Sequence, residues 1–502
     1  MTNEKPNYKD TLNITRTTFP QRAGLAKSEP ERMKKWEAMG LDKKIDAKGR
    51  GRDKYVLHDG PPYANGDIHL GHALNKTLKD IVARYKTMQG FHSHYRPGFD
   101  CHGLPIEQKA IEKVGLKKVR EMPAIELRRI CHEYATRYIG LQTEQFKRLG
   151  IGGEWERPYL TLDPQYEVGI LEGLKCMVER GLVYRGFKPV YWDPHYQTAL
   201  AEAEIEYEEH TSKSIYVRFP VLNPEASVVT KDQGDVNVVI WTTTPWTLPG
   251  NMAVTVHPEL QYLLLDIGGE KIICAEGLAD AFIEDADLPE PKRISEFRGK
   301  ELEGLKCSHP LLDRESIVIL GEHVTLEQGT GCVHTAPGHG IEDFEVCRKY
   351  NIPVVVPVDE RGLYTDDYPL MQGEFVEKCN DKIVDLLKDK GLLVHVGEIT
   401  HQYPYSWRSH KPIIYRATDQ WFFKLDDPSD PIRPKAMEAI DKVAWIPRWG
   451  RERIHNMMNG RPDWCLSRQR AWGVPIPVLT GKETGNSILA PEVIAKFQEK
   501  VA

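Results

Sequence analysis

The chain has 502 residues, 40% hydrophobic and 28% charged, which is more than one compact domain and ordinary for a globular protein of two or three domains. Its formal net charge of −6 argues against a uniformly basic nucleic-acid binder, although a local basic groove is compatible with an acidic whole. Nine scattered cysteines without a Cys-x-x-Cys pair fit reduced thiols rather than a disulfide framework or a zinc knuckle. Met1-Thr2-Asn3-Glu4-Lys5-Pro6 lacks a signal-peptide core, and no apolar run reaches membrane-spanning length. A cytoplasmic protein with no membrane partner is expected.

In chain order, residues 1–54 are polar, carry Pro6, Pro20 and Pro30, and admit a short helix over 29–39 and a loop at 49–52. Tyr55-Val56-Leu57 predicts a short strand. It leads into His58-Asp59-Gly60-Pro61-Pro62-Tyr63-Ala64-Asn65-Gly66-Asp67-Ile68-His69-Leu70-Gly71-His72, a turn-forming run followed by two histidines spaced i, i+3. An amphipathic helix is expected from about 69 to 88, ending at Gly90. Residues 92–96 look extended and enter Pro97-Gly98-Phe99-Asp100-Cys101-His102-Gly103. Strand, helix and strand at this spacing predict a βαβ unit and a parallel sheet.

Helical periodicity occupies 104–150 and 166–181, and 183–192 returns as a strand. After about residue 198 the segments 214–219, 236–241, 262–267, 271–275 and 316–320 are apolar or alternating, rich in β-branched residues and separated by turns, so a β-rich module is expected. From about 403 the density of Trp and Arg rises. The fold class is α/β, with a β-rich module inserted between two parts of a parallel-sheet domain. The divisions are an N-terminal extension (1–54), the first part of the α/β domain (55–197), the insertion (198–400) and a return into the first domain (401–502), incomplete at its C-terminal end.

A helix N-terminus offers free backbone N–H groups and the positive end of the helix dipole, both of which favour phosphate. His69 and His72 share a helical face there and supply donors, Gly71 permits close approach to the backbone, Asn65 and Gly66 shape the turn, and Lys76 adds a charge. A nucleotide-phosphate site follows. A capped surface helix with two incidental histidines is the competing explanation, and the Gly-Pro-Pro-Tyr-Ala-Asn-Gly prefix disfavours it.

Residues 59–72 resemble the first signature of class I aminoacyl-tRNA synthetases, in the form shown by the isoleucine enzymes. The resemblance continues through 97–107, 199–207, 241–251, 331–343 and 461–475. It implies a Rossmann-like catalytic domain that binds ATP through Pro62, Asn65, Gly66, His69, Gly71 and His72, with His69, His72 and Lys76 as catalytic residues. Asp100 would hold the ammonium of isoleucine, between the walls Pro61 and Trp472. ATP is a substrate, Mg²⁺ accompanies the triphosphate, and tRNA(Ile) is the acceptor and partner of a monomeric ligase. The insertion would edit: Thr242, Thr243, Thr244 and Thr247 facing ester and water, His334 positioning the terminal adenosine or the water, and Asp343 binding the ammonium of misattached valine.

Two departures from the family pattern stand out. Where many members carry cysteine pairs, this chain has Asp193, Tyr196, Ser406 and Ser409; His195 and His410 do not restore a soft tetrahedral set, so neither zinc nor any other metal ligand is expected. No Lys-Met-Ser-Lys-Ser-type loop occurs, so the chain resembles an N-terminal part of a longer enzyme. An editing-only deacylase, an inactive tRNA-binding remnant and a valine enzyme are the alternatives.

Overall fold

A computed structural model describes residues 8–13, 18 and 24–502. The N-terminal hexapeptide, Pro6 and Pro20 lie outside the described residues. The chain divides into two compact units: one holds the described residues up to Glu172 with Ala471–Pro475 and Lys496–Ala502, the other Gly173–Arg470 with Ile476–Ala495.

The first unit is mainly helical. The early helix runs Leu25–Ala38, starting before the expected 29–39 and keeping Pro30 inside it. A second helix, Leu41–Gly49, was not foreseen; its short polar sequence gives little apolar periodicity. The expected strand at 55–57 is reduced to a parallel bridge between Lys54 and His92, with the Tyr55 N–H donating to the His92 carbonyl. The helix Leu70–Met88 starts as expected, with His69 as its N-cap, and is followed by Gly90 at φ 96°. Behind it, Gly98–Phe99 pairs in parallel with Tyr159–Leu160, and Tyr63 bridges Asp100 on the other flank. These pieces form a narrow parallel sheet whose central strand ends at Asp100. Helices Leu104–Val114, Leu116–Glu121 and Ala124–Arg148 follow. Phe99, Ile106, Cys131, Phe146 and Trp472 share one core.

The helix Leu70–Met88 lies with an unexpected face inward. Lys76 and Ala83 are buried, whereas Leu70, Leu74, Leu78, Ile81, Tyr85 and Met88 are 88%, 64%, 54%, 56%, 53% and 79% exposed. Spaced three and four apart, these six form the apolar stripe that a surface helix normally turns toward a core. The buried carboxylate of Asp59 explains the inversion, because it holds Lys76 on the inner face.

In the second unit the β-rich module is a ten-stranded mixed sheet. Strands Val236–Thr242, Gln261–Ile267, Glu270–Ala275 and Glu315–Leu320 fall within a residue of their expected limits. The expected strand at 214–219 is the end of a longer one, Ile205–Pro220, paired along its length with Leu393–Ser406. The strand Val183–Asp193 pairs antiparallel with Ile414–Phe423 in a separate four-stranded sheet, which the expectation of one parallel sheet did not include. Among the described residues no helix is long and apolar enough to cross a membrane.

Candidate functional site

At the start of Leu70–Met88 the two histidines cap their own helix. His69 Nδ1 accepts the Gly71 N–H at 3.1 Å, and His72 Nδ1 accepts the His69 N–H at 3.3 Å. Their rings stack with centroids 3.8 Å apart. With both Nδ1 atoms accepting, each neutral ring carries its proton on Nε2, which makes both rings donors suited to phosphate oxygens. Burial, reinforced by His69 and Lys76, lowers the pKa of His72 and favours its neutral form. A Cβ at Gly71 would fall 2.9 Å from the His69 ring, so the glycine makes room for that ring as well as for any ligand. Two of the N–H groups expected to be free for phosphate are therefore occupied by imidazole.

Lys76, read as an added charge for the phosphate, faces inward. Its ammonium pairs with Asp59 and meets the Tyr95 hydroxyl at 3.2 Å. Lys79 donates to the other Asp59 oxygen at 2.6 Å, and the Gly98 N–H to Asp59 Oδ2 at 2.9 Å. Burial works against the Asp59 charge, but Lys76, Lys79 and the Gly98 N–H outweigh it and hold the carboxyl below its usual range. The charge expected at the phosphate thus joins the helix to the sheet. Asn65 is likewise engaged, donating to the Pro105 carbonyl at 3.2 Å and accepting from the Tyr134 hydroxyl at 2.8 Å. Gly66 and Tyr63 offer their carbonyls to Gln142, and Pro62 accepts the Asp100 N–H.

Asp100 sits at the C-terminal end of the central strand, where α/β proteins gather their ligands. Its half-buried carboxylate meets the His102 N–H at 3.5 Å and has no lysine or arginine partner among the described residues. Burial raises its pKa. Beside it, Trp472 is fixed by its indole N–H donating to the Cys101 carbonyl at 2.7 Å, and its ring meets His102 edge-on at 5.0 Å. Glu107 accepts the N–H groups of Ala471 and Trp472, and Arg128 donates to the carbonyls of Ala471 and Gly473. Pro61 is half-buried and lies outside this set of contacts. A carboxylate beside an indole is a competent receptor for the ammonium and side chain of an amino acid.

The second unit holds a cavity of about 410 Å³ lined by Thr242, Thr243, Thr244, Thr247, His334, His339 and Asp343. The strand Val236–Thr242 ends at its rim, and Cys332–Thr335 brings His334 against it. Hydrogen-bond chemistry fixes the state of His334. Asn251 Nδ2 donates to the Ala253 carbonyl at 2.8 Å; because a carbonyl only accepts, the amide NH₂ must face that side. The same nitrogen meets His334 Nδ1 at 2.8 Å, so Nδ1 accepts and the ring proton is on Nε2. That Nε2–H donates to Thr247 Oγ1 at 2.9 Å, and Thr247 donates to the Thr244 carbonyl at 2.8 Å. Ser316 completes the chain by donating to Asn251 Oδ1 at 2.7 Å. Burial pushes His334 down to about 3, so it is a neutral donor at neutral pH.

Across the cavity, Asp343 lies in the first turn of Ile341–Lys349 and accepts the Ala336 N–H at 2.9 Å. Burial raises its carboxyl to about 7. The Thr243 hydroxyl lines the cavity with no hydrogen-bond partner among the described residues. The neutral His334 donor, the free Thr243 hydroxyl and the Asp343 carboxyl, with Glu327 also on the lining, suit an uncharged ester that carries an ammonium.

The family described as tRNA synthetases class I (I, L, M and V) matches residues 31–502. The chain belongs to this family. It is 51% identical over 495 residues to the isoleucine–tRNA ligase of Desulfitobacterium hafniense (strain DSM 10664 / DCB-2), covering 98% of this chain and 52% of that protein. It is 50% identical over 499 residues to the isoleucine–tRNA ligase of Caldicellulosiruptor bescii, covering 98% and 54%. The isoleucine–tRNA ligase of Thermotoga maritima is 49% identical over 496 residues, covering 98% and 53%. The chain spans about half the length of the curated relatives it matches.

For a class I synthetase chain, the residues expected at the threonine cavity come together as a group, whereas those at the helix start divide. His69 and His72 share one helix end, while Lys76 is held by Asp59 and Asn65 by Pro105 and Tyr134. Sequence reasoning missed Asp59, Asn251 and Ser316. Asp59 and Asn251 lie within the resembling segments, yet only their long-range partners show what they do. The positions where many members carry cysteines serve their own turns: Asp193 Oδ1 accepts the N–H groups of His195 and Tyr196, and Ser406 Oγ those of Arg408 and Ser409.

Proposed function

We propose that this chain carries the amino-acid-activating and hydrolytic sites of an isoleucine–tRNA ligase. ATP, accompanied by Mg²⁺, would lie against the Nε2–H donors of His69 and His72, and the isoleucine ammonium against Asp100 beside Trp472 and Pro61. In-line attack of the isoleucine carboxylate on the α-phosphate forms the adenylate and releases pyrophosphate. The isoleucyl group then passes to the terminal adenosine of tRNA(Ile). Isoleucine against valine is the standard case in which one methylene supplies only ~1–3 kcal/mol of discrimination, too little without a second, hydrolytic sieve.

The observation that carries the reading is the single cavity uniting Thr242–Thr244, Thr247, His334 and Asp343, within a chain that matches the family over 31–502. In the hydrolytic step Asp343 would hold the ammonium of misattached valine. The free Thr243 hydroxyl would meet the ester or the water, and His334 would keep Thr247 in place rather than act as base. The division into an N-terminal extension, a catalytic domain in two parts and an editing insertion belongs to the same proposal. So do membership in a longer enzyme, supported by the coverage of the relatives and by the exposed apolar stripe on Leu70–Met88, and a monomeric state, which rests on the family resemblance alone.

A second reading, a deacylase without synthetic activity, is favoured by one observation: the only lysine expected at the phosphate is spent on Asp59. Isoleucine-dependent pyrophosphate exchange measured beside Val-tRNA(Ile) deacylation tests both. Both activities in the 502-residue chain support the ligase reading, and deacylation alone supports the second. Neither activity would sink both readings, and hydrolysis of Thr-tRNA in place of Val-tRNA would point to a valine enzyme.

A further inference from the structure

The helix Leu41–Gly49, the extended residues 92–94 and Glu154 converge on a cluster that takes no part in either site. Asp46 Oδ1 lies 2.8 Å from His92 Nε2 and 3.0 Å from His94 Nδ1, and the three atoms are all within 4.8 Å of one another. His92 and His94 are two apart on extended chain, so their side chains leave from the same face. Gly49 lets the helix approach them, since a Cβ there would fall 2.7 Å from His92 Cδ2. Arg50 holds the other Asp46 oxygen through Nε and Nη2, at 3.3 and 3.0 Å. Glu154 Oε2 faces the far side of His94, 3.0 Å from Nε2.

The proton count singles this cluster out. A neutral His94 has one ring proton, and donating it from Nε2 to Glu154 leaves a lone pair on Nδ1. That lone pair then faces a carboxylate oxygen 3.0 Å away, an arrangement completed either by a second ring proton or by a bound cation. His92 approaches the same oxygen, so three atoms of ligand type converge on one point. Tetrahedral nitrogen and oxygen ligands at about 2.0–2.2 Å from zinc stand about 3.3–3.6 Å apart, so a slight spreading of the cluster admits an ion. Side-chain exposures of 20%, 18% and 37% for Asp46, His92 and His94 leave a route from solvent and space for bound water.

We propose that Asp46, His92 and His94 form a site for a divalent transition-metal ion, with Glu154 orienting His94, and that the ion clamps the helix Leu41–Gly49 to residues 92–94. Two imidazoles and one carboxylate suit Zn²⁺, Co²⁺ or Ni²⁺; Mg²⁺ and Ca²⁺ prefer oxygen ligands throughout. Glu154 is the carboxylate partner that commonly fixes the tautomer of a metal-binding histidine. Residue spacing carries no such sign, because Asp46 lies on a different element from the two histidines.

Titration of the chelator-treated 502-residue chain with Co²⁺ or Zn²⁺ tests the site. The expected result is one saturable equivalent, visible in the Co²⁺ absorption spectrum and as a raised Tm, with no response to Mg²⁺. His94→Ala, at the most exposed of the three positions, abolishes binding while circular dichroism stays unchanged. Glu154→Gln weakens it by about 10–100-fold. The proposal is overturned if no saturable binding occurs, or if binding survives His94→Ala and is lost in His410→Ala, which would place the ion at the exposed group Glu206, Glu208 and His410. A Tm that responds to pH but not to metal would overturn it too, leaving an imidazolium between two carboxylates.

Discussion

At the threonine cavity, Ser316, Asn251, His334, Thr247 and Thr244 form one continuous chain of hydrogen bonds inside a single compact unit. At the start of Leu70–Met88 the two histidines turn back onto their own backbone, the nearest lysine is held by Asp59, and six apolar side chains of the helix face outward. The first arrangement holds His334 and Thr247 in fixed roles at the wall of a cavity. The second presents donors on an open helix end whose outer face has no partner among the described residues. On the proposed reading, hydrolysis of an ester draws on a shaped pocket with oriented donors that also admits water. Adenylation needs charge around a triphosphate, and here much of the local charge is already neutralised.

The largest expected effect separates the two sites by stability. Asp59→Ala strands the buried Lys76 ammonium, and breaking a buried ion pair from one side costs about 3–5 kcal/mol. Urea unfolding followed by hydrogen exchange should show lost protection in Leu70–Met88, with pyrophosphate exchange abolished and Val-tRNA deacylation retained. Equal loss of both activities would break the comparison. Acid should act through the same residue. The Asp59 pKa is depressed in the folded state, so its stabilisation is present above the unfolded carboxyl pKa and lost as pH falls through the folded one. Its Asn variant should lack that acid-side loss.

Next in size is Asp343→Asn, which removes one of the two carboxylates, with Glu327, that line the cavity. A hydrogen bond to a charged group contributes about 1.5–3 kcal/mol, so kcat/KM for Val-tRNA hydrolysis should fall by about 10–100-fold, with pyrophosphate exchange untouched. The pH profile gives a finer test. Burial places the Asp343 carboxyl at about 7, and only its ionised form pairs with an ammonium. Hydrolytic kcat/KM should therefore rise about tenfold per pH unit below that value and fall again once the substrate ammonium deprotonates above about pH 8. Asp343→Asn should remove the acid-side inflection; a profile unchanged by the substitution would show that another group titrates.

The same contrast governs what could be read from the residues. Turn chemistry and helical period located the start of Leu70–Met88 and the glycine beyond it, and β-branched runs located Val236–Thr242, Gln261–Ile267 and Glu270–Ala275. These are local signals. The inward turn of Lys76 was not legible, because it depends on a carboxylate seventeen residues away and on a backbone N–H in another strand. Pairing of Val183–Asp193 with Ile414–Phe423 joins distant segments, and nothing in either strand names its partner. Of the cavity, Thr242, Thr243, Thr244, Thr247, His334 and Asp343 were legible through family resemblance, but His339 and the Ser316–Asn251 support were not, since each side chain's role comes from the atom it faces.

The smallest expected effects probe that support. Ser316→Ala removes the donor to Asn251 Oδ1 but leaves the amide anchored by the Ala253 carbonyl, so His334 keeps its Nε2–H tautomer. The cost is one unsatisfied buried acceptor, about 1–3 kcal/mol of stability, and only a few-fold loss of deacylation. Asn251→Asp changes the shape less but reverses the polarity. An ionised carboxylate can only accept, so His334 must move its proton to Nδ1, and Nε2 then faces Thr247 as an acceptor. Thr247 would have to donate to that ring and give up the Thr244 carbonyl. Nitrogen-15 chemical shifts of His334 should distinguish the variants, unchanged in Ser316→Ala and exchanged between the two ring nitrogens in Asn251→Asp. If deacylation falls with the tautomer and not with stability, the cavity works through the direction of one N–H, and the histidine pair of the helix start, whose protons are set by backbone N–H groups, has no counterpart to this control.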